Sequence, residues 1–560
     1  MSSVPVDFVN GVVAAAPSSS SSPPSLNRAD EVKELLDALL NPLILPFIRA
    51  ADIDAASKHT GKSLPIPSIS PSSSGTPRTS LVEHLPPKKL QSLLLSEENN
   101  AFLKIEGQER GGKDGLVKTV RTLLGYSVNT WDLGFLDKLY GGTNAVGVVS
   151  ELLLATLNTN AHVYQVSPVL TLIEKHTAKY LSTLFFTPHS SPISKHTGGI
   201  SQPGGSAANQ TAMVVARNTL YPFTKTDGNG SHKFRVFTSA HGHYSLEKAA
   251  QIIGLGSKAV ISVPVSPSTG EMDASSLRTL VKESKERGET PFFVNATAGT
   301  TVLGSFDPFE DISAVCKEEG LWMHIDGSWG GSVALNPEYR ESRLKGSWLA
   351  DSLTVNPHKM LGVPTTCSFL LARDLRKFHK ALTLPAGYLF HDVNEVATSA
   401  AGKEEEEDEE SGINADEIFD LADLTPQCGR RADSLKFFLA LKYYGTAHFS
   451  SWVATAYDNA RYLLDLVKAH PDFVSVTPEP VPCLQVCFYF ARGGQLADAE
   501  RNGRVTSEVA KGLIGRGFMV DYAPGEQGKF FRVVVNGATT KGTLDGLVKG
   551  IVEVAGEFGY

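Results

Sequence analysis

In this chain of 560 residues, one carboxylate and one amine stand where short apolar runs stop. The run LWMHI ends in Asp326-Gly327-Ser328, and the run SLTV ends in Asn356-Pro357-His358-Lys359, so Lys359 follows Asp326 by 33 positions. FFVNA ends in Thr297, and FRVFTSA ends in His241-Gly242-His243. Upstream, a glycine-rich turn from Gly198 to Ser206 leads into a helix at Ala207. Ligands of open α/β sheets bind beyond the carboxyl ends of the strands, so these groups are expected to meet in one crevice. Backbone N–H groups at a helix N-terminus can hold a phosphate, while the lack of a P-loop lysine argues against a nucleotide. An amine that forms a Schiff base, a carboxylate that keeps a pyridine nitrogen protonated and a phosphate seat together suit pyridoxal 5'-phosphate. Singly the parts are ordinary. Asp326 could be a turn residue and Lys359 a surface lysine, and His241 with His243 would make half a metal site with no third ligand cluster nearby. No metal is expected.

The elements that must position these residues can be read from the apolar pattern. Strand-like runs at 234–238, 260–265, 292–296 and 321–326 alternate with helical stretches at 246–255, 277–285 and 308–318. That alternation predicts βαβ units and a parallel sheet covered on both faces. Leu246, Ala249, Ala250 and Ile253 fall on one helical stripe. After Gln427 the text predicts helices at 434–444 and 450–470, strands at 486–490 and 530–535, and a closing helix. Residues 16–25 and 63–80 are Ser/Pro-rich, and a helix capped by Asp30 is expected to begin the ordered chain. The resulting division is a disordered tail over 1–30, an N-terminal helical segment with a Ser/Pro-rich linker over 31–155, a large domain over 156–436 and a small α+β domain over 437–560. Within the large domain, the run KEEEEDEE at 403–410 predicts a solvated acidic insertion over 400–415.

A net charge of −8 argues against nucleic acid or an anionic membrane as partner. With 41% hydrophobic and 20% charged residues the bulk reads as globular. No run approaches the ~18 apolar residues of a membrane span. The N-terminus has neither the basic start nor the apolar core of a signal peptide. Five cysteines without framework spacing suit a reducing compartment. A cytoplasmic location is the expectation.

The segments HIDGSWGGS, TVNPHKMLGVPTTCSFLL, NATAGTTVLGSFDP, GGISQPGGSAANQ and FTSAHGHYSLEKA resemble the group II pyridoxal-phosphate-dependent amino-acid decarboxylases. Within that group the chain is most similar to the glutamate and cysteine-sulfinate decarboxylase branch, as are AGYLF, QCGRRADSLKFF and FFRVVVN. The resemblance runs from about residue 132 to 560. It implies the type I pyridoxal-phosphate transferase fold, with a large parallel or mixed sheet, a smaller C-terminal domain and an N-terminal helical segment. It implies that Lys359 carries the cofactor, Asp326 pairs with its ring nitrogen and His243 stacks on the ring. Ser206 and Ala207 would hold the phosphate beside His358, with Thr297 and Asn356 lining the pocket. Tyr388 would be the acid that protonates the substrate carbon after CO₂ leaves, and Arg532 would bind a substrate carboxylate. Lys138 and Tyr140 occupy positions where that branch grips its substrate, and a homodimer is expected. The implied reaction is decarboxylation of an L-amino acid, an acidic one such as glutamate, aspartate or cysteine sulfinate. The alternatives are another lyase of the same fold, or a catalytically silent relative that acts as a binding protein. Tyr388 and the QCGRR block favour the decarboxylase. Lys359, Asp326, His243 and Tyr388 together speak against silence.

Overall fold

A computed structural model describes residues 27–66, 78–96, 102–105, 111–187, 194–384 and 414–560. The chain divides into two units, one of residues 1–49 and 85–126 and the other of 50–84 and 127–560. In the first, helix Arg28–Leu39 begins at Asn27 rather than at Asp30, which instead lies in the first turn where its charge suits the helix dipole. Lys113 of helix Gly112–Tyr126 pairs with Glu34 at 2.6 Å. The acidic run at 403–410 lies outside the described residues.

The second unit holds a seven-stranded sheet of β1 (Gly198–Gln202), β2 (Phe234–Ser239), β3 (Val260–Val263), β4 (Thr290–Thr297), β5 (Trp322–Gly327), β6 (Ser352–Val355) and β7 (Ser368–Ala372). Their order across the sheet is β1-β7-β6-β5-β4-β2-β3. β2 to β6 pair in parallel, whereas β7 runs antiparallel to both β6 and β1, so the sheet is mixed. Both faces are covered, which is why these strands read as unbroken apolar runs. In β7, Phe369 and Leu371 join one core cluster, while Leu370 and Ala372 join the cluster on the opposite face. Helices Gly205–Leu220 and Ser245–Ile252 bury Ala212, Met213, Leu246, Ala249 and Ala250 in the latter.

The C-terminal sheet has five strands: Phe135–Leu136, Met519–Ala523, Phe530–Val534, Gln485–Phe490 and Phe473–Ser475, in that spatial order. The first pair is parallel and the others antiparallel, so residues from the N-terminal third complete a C-terminal sheet. The two helices expected at 434–444 and 450–470 are both present within Ser434–Ala469, separated where Gly445 takes φ 78° and ψ 165° and breaks the helical backbone. A boundary at 436/437 therefore falls inside a helix.

Candidate active site

The parallel strands bring their carboxyl ends to one edge of the sheet. Asp326 near the end of β5 stands level with Thr297 of β4 and Thr354 of β6. Asn356 leaves β6 and precedes the helical turn Pro357–Met360, which carries His358 and Lys359. Ser206 lies in the first turn of helix Gly205–Leu220, and His243 precedes helix Ser245–Ile252. Ser206, His243, Thr297, Asp326, Asn356, His358 and Lys359 line one cavity of about 270 Å³. Gly205 is required there, since a Cβ would come within 2.2 Å of Ser328 Oγ and 2.9 Å of Asn356 Nδ2. Ala207 follows Ser206 in the same turn without lining the cavity.

Asp326 is buried, and its two oxygens are engaged separately. Oδ1 accepts the Ser328 N–H at 3.0 Å, and Oδ2 accepts from Asn209 Nδ2 at 2.7 Å. Burial pushes its carboxyl up, but the bond from Ser328, the charges of His243 and Lys359 and the bond from Asn209 outweigh that and hold it below the usual carboxylate range. Burial pulls the Lys359 ammonium down against the attraction of Asp326, which favours the reactive neutral amine. His243 Nδ1 accepts the Ser245 N–H at 3.2 Å, so Nε2 carries the ring proton. Burial lowers this imidazole too, with Asp326 opposing. His358, whose Nδ1 lies 2.8 Å from the Cys367 carbonyl, is pushed down by burial to about 4 and stays neutral at pH 7.

Asn209 stands near the end of the segment GGISQPGGSAANQ, but the sequence analysis gives it no role. Its spacing of three from Ser206 places both on one helix face, and that is the signal that points to it. Asn209 Oδ1 faces Thr354 Oγ1 and His324 Nε2, each at 3.1 Å, and His324 Nδ1 meets Ser352 Oγ at 2.8 Å. These contacts fix the amide so that its Nδ2 donates to Asp326. Arg430, from the QCGRR block, is a buried support rather than a lining residue. It pairs with Glu174 and donates to Ser201 Oγ at 3.1 Å in β1, the strand that leads into the glycine turn.

The expected substrate residues are placed differently. Arg532 does not line the cavity, but its Nη1 donates at 3.0 Å to the carbonyl of Thr301, which does. Lys138 is half-exposed and pairs with Asp521 at 3.0 Å and Asp137 at 3.3 Å. Tyr140 stays outside the cavity, with its ring tilted against Phe135 at 5.9 Å between centroids. Tyr388 lies outside the described residues. Among the described residues no group of three or more His, Cys, Asp or Glu could hold a metal ion.

These residues fit pyridoxal phosphate. A lowered amine and an ionised carboxylate share a cavity that opens onto a helix N-terminus, and Thr297 Oγ1 is buried there without a hydrogen-bond partner. Comparison with known proteins agrees. Residues 99–404 match the family model described as the pyridoxal-dependent decarboxylase conserved domain. The chain is 48% identical over 530 residues to L-aspartate decarboxylase dtxS4 of Metarhizium robertsii, covering 94% of this chain and 98% of that one. It is 38% identical over 468 residues to the glutamate decarboxylase-like protein FG08083 of Gibberella zeae, covering 80% of this chain and 88% of that one. The crystal structure of mouse CSAD aligns with a TM-score of 0.77 at 29% identity, over 95% of this chain and 99% of that one. The resemblance read from the N-P-H-K and D-G-S-W-G-G segments thus holds across the whole fold, and the chain belongs to the pyridoxal-dependent decarboxylases, carboxy-lyases whose cofactor is pyridoxal 5'-phosphate.

Proposed function

We propose that the protein decarboxylates an acidic L-amino acid, with L-aspartate as the preferred substrate. The observation that carries this reading is Arg532, a buried cation one hydrogen bond behind the cavity wall. The 48% identity to a protein named L-aspartate decarboxylase supports the choice among acids. Bound through Lys359, pyridoxal phosphate supplies a conjugated ring that takes up the electron pair released as CO₂ departs. The ionised Asp326, fixed by Ser328 and Asn209, would hold a proton at the ring nitrogen. His243 would stack its imidazole on the ring, and the turn at Ser206 and Ala207 would seat the phosphate. Tyr388 is assigned the proton delivery to the substrate carbon on the strength of its sequence motif alone.

The test is CO₂ release by the purified, cofactor-loaded protein across L-aspartate, L-glutamate, L-cysteine sulfinate and the aromatic L-amino acids. Release from aspartate above the others is expected; release confined to neutral amino acids would sink the reading. In the same assay Arg532→Met raises KM for the acidic substrate by roughly 10²-fold, as expected when a buried charge pair loses one member, with little change for a neutral one.

A homodimer fits the same reading. Helix Ala145–Leu157 presents Val148, Val149, Leu152 and Leu153 to solvent, each between 41% and 57% exposed, and contiguous apolar surface of this kind marks an interface. Placing aspartate at Val149 and Leu152 is expected to halve the mass measured by light scattering, whereas an unchanged mass removes this helix from the interface. The five cysteines are all free, which suits the cytoplasm, and among the described residues no helix is long and apolar enough to cross a membrane.

A further inference from the structure

We propose that Asp521 is a specificity-determining residue, a resident counter-ion that occupies Arg532 until the substrate's side-chain carboxylate displaces it onto Lys138. The proposal rests on the reading of Arg532 as the group that binds the acidic side chain. Arg532 is 5% exposed and makes three kinds of contact. Nη1 donates to the Thr301 carbonyl at 3.0 Å, and Nη2 donates to the Asp137 carbonyl at 2.8 Å and to Asp521 Oδ2 at 2.6 Å. Two of these acceptors are backbone carbonyls, which cannot neutralise a charge. Asp521 supplies the counter-charge that a buried guanidinium requires. Strand register enforces the pair, because Asp521 and Arg532 stand directly opposite each other on neighbouring antiparallel strands.

The same Asp521 oxygen also accepts from Lys138 Nζ at 3.0 Å, and the Asp521 side chain is 28% exposed. Asp521 therefore has a second cation waiting on its solvent side, while among the described residues Arg532 forms an ion pair with no other side-chain carboxylate and meets the charge of Asp137 only at longer range. Two cations and the carboxylates of Asp521 and Asp137 balance, so the resting site carries no spare positive charge to attract an anion. A neutral amino acid leaves the Asp521–Arg532 pair intact and gains nothing from it. An acidic one exchanges its own carboxylate for that of Asp521, which stays bound to Lys138. Removing the competitor must tighten acidic ligands, and removing its alternative partner must weaken them.

The experiment uses the full-length, cofactor-loaded protein, L-aspartate turnover, and calorimetric binding of succinate as an unreactive dicarboxylate. Asp521→Asn is expected to lower KM for aspartate and Kd for succinate on the order of tenfold, the size of a ~1.4 kcal/mol competition, with kcat within twofold. Lys138→Met, at a half-exposed position that tolerates change, raises both constants several-fold. In the Asp521→Asn background the Lys138→Met change has no further effect. If Lys138→Met weakens succinate equally in both backgrounds, Lys138 contacts the ligand itself and the exchange is overturned. Folded Asp521→Asn protein with unchanged or weaker succinate binding overturns it as well. Should Asp521→Asn not fold, Asp521→Ser combined with Lys138→Met replaces it in the same comparison. Arg532→Met separates the two levels. If it affects acidic and neutral substrates alike, the underlying reading of Arg532 fails; if it is selective while Asp521 is silent, only the exchange fails.

Discussion

Lys359→Ala protein is expected to bind no cofactor covalently, to lose the visible absorbance of the purified enzyme, and to release CO₂ slower by a factor on the order of 10⁴ or more. The size follows from the proposed role of Lys359 as the group that forms the covalent link, since removal of such a residue collapses the machinery built around it. The geometry supports a chemical rather than a structural loss. Lys359 is half-buried on a short helical turn, and among the described residues its ammonium has no hydrogen-bond partner to leave stranded. Its environment instead prepares it to react, because burial lowers the ammonium while Asp326 alone opposes. The variant should therefore fold with an unfolding midpoint close to that of the cofactor-free parent, separating a dead enzyme from an unfolded one. An absorbance band that survives dialysis of Lys359→Ala and becomes fixed by borohydride would move the covalent link to another lysine.

What the sequence made legible was set by periodicity. Asp326, Thr297, Asn356 and Lys359 stand where apolar runs stop, and parallel strands place all such positions on one edge, so spacing along the chain became proximity in space. The same logic located His243 and the turn at Ser206. Asn209 escaped because its role depends on a helical face and on the amide orientation set by Thr354 and His324, neither of which belongs to a local motif. Asp521 escaped for a different reason. It faces Arg532 only through strand register, and Met519–Ala523 carries an Asp and a Tyr within a short run that did not read as a strand. The resemblance places Lys138 where that branch grips its substrate, and no local pattern announces that Asp521 of the chain pairs with it. Phe135–Leu136 pairs in parallel with Met519–Val520 across most of the sequence, a contact that no local pattern encodes.

That long-range pairing makes Lys58 the second position where a large effect is expected. Lys58 is fully buried, with its ammonium 2.8 Å from Asp54, 2.7 Å from Asp132, 2.7 Å from Ser63 Oγ and 2.6 Å from the Gly517 carbonyl. It ties residues 54–63 to the start of the Phe135–Leu136 strand and to the turn before Met519–Ala523, the strand that carries Asp521. Methionine matches its length but not its charge, so Lys58→Met leaves two buried carboxylates facing each other. Breaking a buried ion pair from one side costs about 3–5 kcal/mol, and the midpoint of urea unfolding followed at pH 7 should fall accordingly. The pH dependence identifies the cause. Burial pushes the Asp54 carboxyl up, but in the parent the Lys58 charge and hydrogen bond, with Ser63 and Leu64, bring it down to about 2, so its stabilisation is complete above 3.8 and is lost as pH falls toward 2. Without Lys58 burial dominates, the folded carboxyl rises above its unfolded value, and folding takes up a proton. The variant's stability then declines as pH rises through that range, so the deficit against the parent is widest near neutrality and narrows toward pH 4. Adding Asp132→Asn should recover part of the loss, because one uncompensated charge disappears while an amide oxygen can still accept the Gly134 N–H that Asp132 accepts at 2.7 Å. A Lys58→Met deficit that stays constant with pH would mean that lost packing, and not the stranded carboxylates, sets the cost.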